Sequence, residues 1–486
     1  MQELTGYWLT RLLLQRGLGI IYLIAFLVAL NQFVPLLGEK GLLPVSQYLK
    51  QVRFWEAPSL FFFYHRDIFF RICASLGVIL SLTVITGISE KYGMGVSMTV
   101  WGLLWLLYLS FVNVGQTFYA FGWESMLLEA GFYAIFLGDL KTAPSVIMIW
   151  LFNWMLFRTM FGAGLIKLRG DECWKNLTCL YYHYETQPMP NPLSWFFHWL
   201  PKGVHQFGVL FNHFAELIVP FAYFAPQPIS AAAGLITLLF HGWLAVSGNF
   251  SFLGFLTMVI ALSTLDDRLL SKIIPLHPPA NLALWQGYQN AIYILAIIIA
   301  FLSIKPIKNL FSPYQAMNTS YNPIHLVNSY GAFGSITRPR YEVIIEGTAD
   351  PVITLETKWE EYEFKGKPVK LDRLPPQIAP YHLRLDWLAW FAGFSHYYEH
   401  PWFIHLMAKL LKNDEAILGL LKTNPFPAAP PHFVRALRYE YHFTTPAQHR
   451  QNGNWWERNL VGLYFPVVSL NNPEFKKILQ AQAWED

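Results

Sequence analysis

The sequence predicts a polytopic α-helical membrane bundle of about eight or nine spans, followed by a C-terminal soluble α+β domain with a small antiparallel sheet. Three observations carry that expectation. Charged residues make up only 14% of the 486-residue chain, against about 25% in soluble domains, and the mean hydropathy is +0.31. Aromatics reach 17%, with 19 Trp, a composition suited to interfacial belts and a packed membrane body. Long apolar runs recur as far as residue 304 and then stop, while charges and prolines rise.

A span needs about 17–25 mostly apolar residues. Residues 18–37, 70–88, 96–114, 145–168, 229–247 and 282–304 meet this. Three further stretches are shorter or interrupted: 123–137 holds Glu124 and Glu129, 207–224 holds His213 and Glu216, and 250–265 is short. The first apolar segment is too long for a signal core and lacks a clear small-residue cleavage site, so it reads as a span. Lys and Arg are spread almost evenly over the short loops. Arg11 and Arg16 favour a cytoplasmic N-terminus, and nine spans would then put the loop 169–206 and the tail on the lumenal or external side. The sequons Asn176-Leu177-Thr178 and Asn318-Thr319-Ser320 would lie on that side.

The tail, 305–486, opens with strand alternation over 341–365, broken by a turn at Ala349-Asp350-Pro351, which predicts two or three antiparallel strands. Short helices follow over 384–394 and 401–412, with Trp and Leu spaced as one apolar face. Asn424–Pro431 is a proline-stiffened connector in these terms (NPFPAAPP). Trp387, Trp390, Trp402, Trp455 and Trp456 are expected in its core. Net charge is +4 with no Lys/Arg run, which argues against a nucleic-acid partner.

Ionisable groups inside spans are expensive and mark functional or architectural contacts. Lys167, at the end of 145–168, could act as a base with a lowered pKa, or could close the helix end by pairing with Asp171, Glu172 or Glu129. Glu124 and Glu129 are five apart and so point in directions separated by about 140° on a helix. Each needs its own partner, and Arg158 is the candidate for one of them. His213 and Glu216 share a helix face at i, i+3, a spacing that can hold a metal or relay a proton. His241 lies in a neighbouring span, but no further ligands and no HExxH are present, so a polar interhelical contact is expected and no metal. Cys173 and Cys179, six apart, would form a loop-tying disulfide in an oxidising compartment, or remain two buried thiols. The run Tyr181–Pro192 is an aromatic, proline-rigid loop (YYHYETQPMPNP). It could contact a client protein, or lie as a lid with Tyr182, Trp195 and Trp199 as interface anchors.

The loop GAGLIKLRGDECW…LTCLYYHYETQPMPNPLSW and the segment GQTFYAFGWESMLLEAGF (115–132) resemble the signature motifs of the lipase maturation factor family. RYEVIIEGT, EEYEFKGKP, PYHLRLDWLAWF and NPFP resemble its C-terminal domain, so the likeness covers nearly the whole chain. The resemblance implies a membrane-bound factor, without a cofactor, that assists secreted proteins. In animals such factors sit in the endoplasmic reticulum membrane and bring secreted lipases to their active dimeric form. A prokaryotic relative would sit in the cytoplasmic membrane with its tail outside the cytoplasm. The loop-motif positions are Arg169, Asp171, Glu172, Trp174, Tyr184 and Glu185. A shorter likeness, Gly164-Leu165-Ile166-Lys167-Leu168 with Asp171 and Trp174, resembles vitamin K-dependent γ-carboxylases. It implies an alternative, a membrane enzyme using a lipid or quinone cosubstrate at Lys167.

Overall fold

The computed structural model describes residues 6–283 and 285–481. Among these, seven helices are long and apolar enough to cross a membrane. They are α1 (Trp8–Leu37), α2 (Asp67–Ile85), α3 (Met94–Val114), α5 (Val146–Arg169), α6 (Lys202–Phe224), α7 (Ile229–Ser247) and the stretch Gln286–Phe311. That last stretch is α9 (Gln286–Leu302) continued by α10 (Ile304–Phe311). The two remaining apolar stretches form shorter helices, α4 (Gly122–Ala134) and α8 (Leu253–Ala261, extended by a 3₁₀ turn to Thr264).

The contacts show how the short helices run. Glu124, in the first turn of α4, bonds Arg384 of the tail, while Gly138, just past its end, accepts from Gln15. Asn249, before α8, bonds the tail at Ile378 and Ala379, whereas Leu265, after it, accepts from Thr10. Both short helices therefore run between the same two ends of the bundle as their longer neighbours. A 13-residue helix rises about 20 Å, against about 30 Å of hydrocarbon. Outward faces carry apolar side chains at helical spacing, such as Ile68, Ile72 and Ile79 on α2 and Ile294, Ile297 and Phe301 on α9, as a lipid-facing surface requires.

The tail holds a four-stranded antiparallel sheet in the order β2-β1-β3-β4. Its strands are β1 (Arg340–Thr348), β2 (Glu360–Glu361), β3 (Phe433–Phe443) and β4 (Trp456–Val468). The stretch 341–365 thus supplies β1 and the two-residue β2, paired Glu346↔Glu361. The sheet is completed by two strands from the far end of the tail. Alternation in β1 is real, but its polar positions are buried too. Glu342 is paired with Arg340 and Lys367, and Glu346 with Arg435. Helices α11 (Arg384–Ala392) and α12 (Pro401–Leu411) stand where the Trp/Leu spacing predicts them. Trp387, Trp402 and Trp456 are buried, and Trp390 and Trp455 are half-buried.

Candidate functional site: a cavity roofed by the tail

The loop 169–206 is a platform for the tail. Asp171 caps the turn at Cys173 and receives both Arg338 Nη1 and Nη2 at 2.8 Å. The Arg338 guanidinium holds the Asp171 carboxyl well below the usual carboxylate range. Arg338 lies over the Tyr182 ring, and Trp174 donates to the Phe333 carbonyl at 2.8 Å. Buried Arg340, at the start of β1, donates to the carbonyls of Glu185, Gln187 and Pro188. In return, the Glu185 carboxylate accepts from Phe443 N–H at 2.7 Å and faces His442 Nδ1 at 3.2 Å. Tyr184 is buried and stacks on Phe197. Trp195 and Trp199 bind the tail. Both indole N–H groups bond the Thr444 carbonyl of the tail, at 2.8 and 3.1 Å. Arg169 reaches Gln315 and the Leu310 carbonyl, and Glu172 is exposed beside Lys175.

Cys173 and Cys179 are joined in a disulfide, Cα to Cα 4.7 Å, buried with Trp174, Val209 and Ile336. It closes a short ring, which in the chain-entropy account is worth about 2 kcal/mol. A C173S/C179S protein is expected to lose about that much stability in the loop. Faster proteolysis between 169 and 206, with the spans still protected, is the measurement. His442 offers a pH handle outside the spans. Its hydrogen bond to Glu185 raises its pKa above 6.5, helped by Glu440 and Glu457 and opposed by partial burial. A raised histidine pKa stabilises the folded form below 6.5, and that gain is lost as pH rises through the folded value. Tail docking is expected to tighten as pH falls from 8 to 6, and H442Q should flatten the profile in hydrogen exchange of β3.

The intramembrane glutamates are closed into separate clusters. Glu129 pairs with Arg158 and accepts from Tyr133, Tyr330 and Asn328. Arg158 also donates to the Asn328 carbonyl at 2.6 Å. Glu124 pairs with Arg384 at 2.7 Å and accepts from Tyr108, and Arg384 lies over the Tyr119 ring. Arg384 was invisible as a partner in the sequence. Its one signal was a lone cation inside the aromatic run PYHLRLDWLAWF.

Lys167 has a different partner from the three that its neighbourhood in sequence suggested. It bonds both oxygens of Glu216, at 2.6 and 2.7 Å, and not Asp171, Glu172 or Glu129. Asn212, one turn before, donates to the same carboxylate at 2.9 Å. Two local features bring these groups together. Pro220 has no N–H for the carbonyl of Glu216, and α6 widens into a π-turn over Phe214–Ile218. Gly164 on α5 lets that turn approach closely, since a Cβ there would sit 2.6 Å from Leu217 and 3.0 Å from the Glu216 Cβ. His213 bonds the Trp174 carbonyl at 2.9 Å, and Lys167 lies over the Trp174 ring. His241 contacts Met160 Sδ at 3.2 Å. Among the described residues, no group of three His, Cys, Asp or Glu is placed to hold a metal ion.

Lys167, Glu216 and His241 line a cavity of about 870 Å³, with α5, α6, α7, the starts of α4 and α8, and the tail as walls. Glu129 and Arg158 lie outside its lining, and Glu124 does too. His183, on its loop-side wall, is pushed down to about 4 by burial and by Lys167, and is neutral at ordinary pH.

These features define a multi-pass membrane protein whose C-terminal domain is locked onto one inter-span loop and roofs a cavity reaching into the helix bundle. The lipase maturation factor transmembrane domain matches residues 9–272, and the lipase maturation factor C-terminal domain matches residues 326–466. The chain belongs to the lipase maturation factor family. Lipase maturation factor 1 of Bos taurus is 43% identical, over 95% of this chain and 89% of its own. Lipase maturation factor 1 of Homo sapiens is 42% identical over 98% and 90%. Lipase maturation factor 2 of Rattus norvegicus is 28% identical over 97% and 84%. No solved structure matches the chain.

Proposed function

We propose that this chain is a membrane-bound maturation factor that holds secreted lipases, at the face carrying its tail, until they reach their active assembly. The observation that carries the proposal is identity of 41–43% with proteins named lipase maturation factor 1, across nearly the whole chain. The geometry supports it: the tail is fastened to the 169–206 platform, and β4 is an edge of its sheet. Leu460 and Leu463 on that edge are each 61% exposed. An unpaired edge with apolar side chains can add a strand from an incompletely folded chain. The proposed setting is the endoplasmic reticulum, with the tail in the lumen, and no cofactor is required.

The enzyme alternative asks Lys167 for an amine free to take a proton. Its contact with both Glu216 oxygens favours the maturation reading. In a host lacking its own factor, co-expression should raise the specific activity of a secreted lipase. The L460D/L463D variant should lose this effect at unchanged protein level. Equal lipase activity with and without the chain would sink the proposal.

A further inference from the structure

We infer that the cavity beneath the tail binds one molecule of an uncharged single-chain lipid with an oxygen-bearing head, of the monoacylglycerol type. Its place in the fold comes first. The cavity lies between the starts of α4 and α8 and the tail, walled by helices long and apolar enough to cross a membrane, so a bilayer lipid is the apolar ligand nearest to hand. Most of the wall is apolar, with Met126, Met160, Leu244, Leu253, Phe255 and Trp387 among the lining side chains. At about 870 Å³ it stands near the upper end of small-molecule sites, about 300–1,000 Å³.

The polar groups define the head. His241 Nδ1, Ser251 Oγ and Trp123 Nε1 have no protein hydrogen-bond partner, and all three residues line the cavity. They are 7%, 1% and 7% exposed, so bulk water does not serve them freely. Buried polar atoms of this kind are ordinarily satisfied. Ser251 is also held at φ +54°, a left-handed conformation that a non-glycine residue adopts at a cost. Hydroxyl and ester oxygens can accept from Trp123 and exchange donor and acceptor roles with Ser251 and His241.

Charge and backbone chemistry exclude the neighbouring classes. The charged lining residues are Lys167, Glu216 and Glu399, and the first two neutralise each other. Among the described residues, no lining Lys or Arg is left over for a carboxylate or phosphate head. A peptide would bring an N–H and a C=O per residue into walls that are mostly apolar.

The test uses the full chain in mild detergent and a monooleoylglycerol probe carrying a photoreactive diazirine. About one label per chain is expected on α5, α7 or the 249–257 segment. Excess monooleoylglycerol should compete at least about tenfold better than oleate or oleoyl lysophosphatidate. Two variants keep the outcome decisive. A Cβ at Gly254 would make ordinary contact with His241, 3.7 Å from both its Nδ1 and its carbonyl oxygen, so G254L puts added bulk beside a lining histidine and should cut labelling about tenfold. S251A preserves the volume and should cut it about threefold, the loss of one modest hydrogen bond. If G254L fails to fold, S251A decides. Equal competition by the anionic lipids, labelling confined to the outer helix faces, or unchanged labelling in both variants would each overturn the inference.

Discussion

Replacing Arg384 with Ala is expected to loosen the docking of the tail on the bundle and to lower stability by about 3–5 kcal/mol, the usual cost of stranding one member of a buried ion pair. Arg384 and Glu124 are both fully buried. Removing the cation leaves the Glu124 carboxylate with the Tyr108 hydroxyl and the buried His382 ring, Nδ1 3.9 Å away, and no permanent opposing charge. The Phe118 carbonyl loses a donor at 2.7 Å as well. E124A is the mirror case and should cost a similar amount. Converting both partners, as in E124Q/R384M, removes both charges while Gln still meets Tyr108. Most of the loss should return, because a buried pair replaced as a unit is often near neutral. Protease resistance of the 312–480 region and the melting temperature in detergent are the measurements. R384A melting like the parent would mean that tail docking does not depend on this pair.

K167A is the second large effect, also about 3–5 kcal/mol. It leaves Glu216 beside Asn212 with no cation, at 4% exposure. Folded protein should fall for structural reasons alone, so activity must be expressed per folded molecule. The double variant K167M/E216Q removes both charges together and is expected to fold close to the parent. On the maturation reading it still supports lipase activity. A double variant that folds and captures its client, yet yields inactive lipase, would place chemistry at Lys167 and defeat that reading. K167R adds a further check: a larger cation can keep the Glu216 contact, so stability should drop less than in K167A.

Much of this protein was legible locally. The apolar runs marked most helices to within a few residues, but α1 begins at Trp8, ten residues before the expected 18, because Arg11, Gln15 and Arg16 find partners inside the bundle. The stretch 207–224, broken by His213 and Glu216, still forms a helix. Its polar residues turn toward Trp174 and Lys167, inside the bundle. The strand β1 and helices α11 and α12 were legible from alternation and Trp/Leu spacing. The last two strands were not expected from the sequence, since β3 carries Arg435, Arg438 and Glu440 among its apolar positions. Cross-strand and cation–ring contacts of Arg435 and Arg438 absorb those charges.

By itself, the sequence determined the membrane class, the order of helices, the strand and helix pattern opening the tail, and the family signature of the loop. These rest on short-range periodicity and contiguous motifs. Only the tertiary structure decided which charges meet. Glu124 finds its partner 260 residues away, and Lys167 finds Glu216 49 residues away. Such pairings follow from how helices pack, from a π-turn, and from one glycine that lets two helices touch. The cavity has the same origin, since it lies between the starts of two short helices and a distant tail that completes the wall.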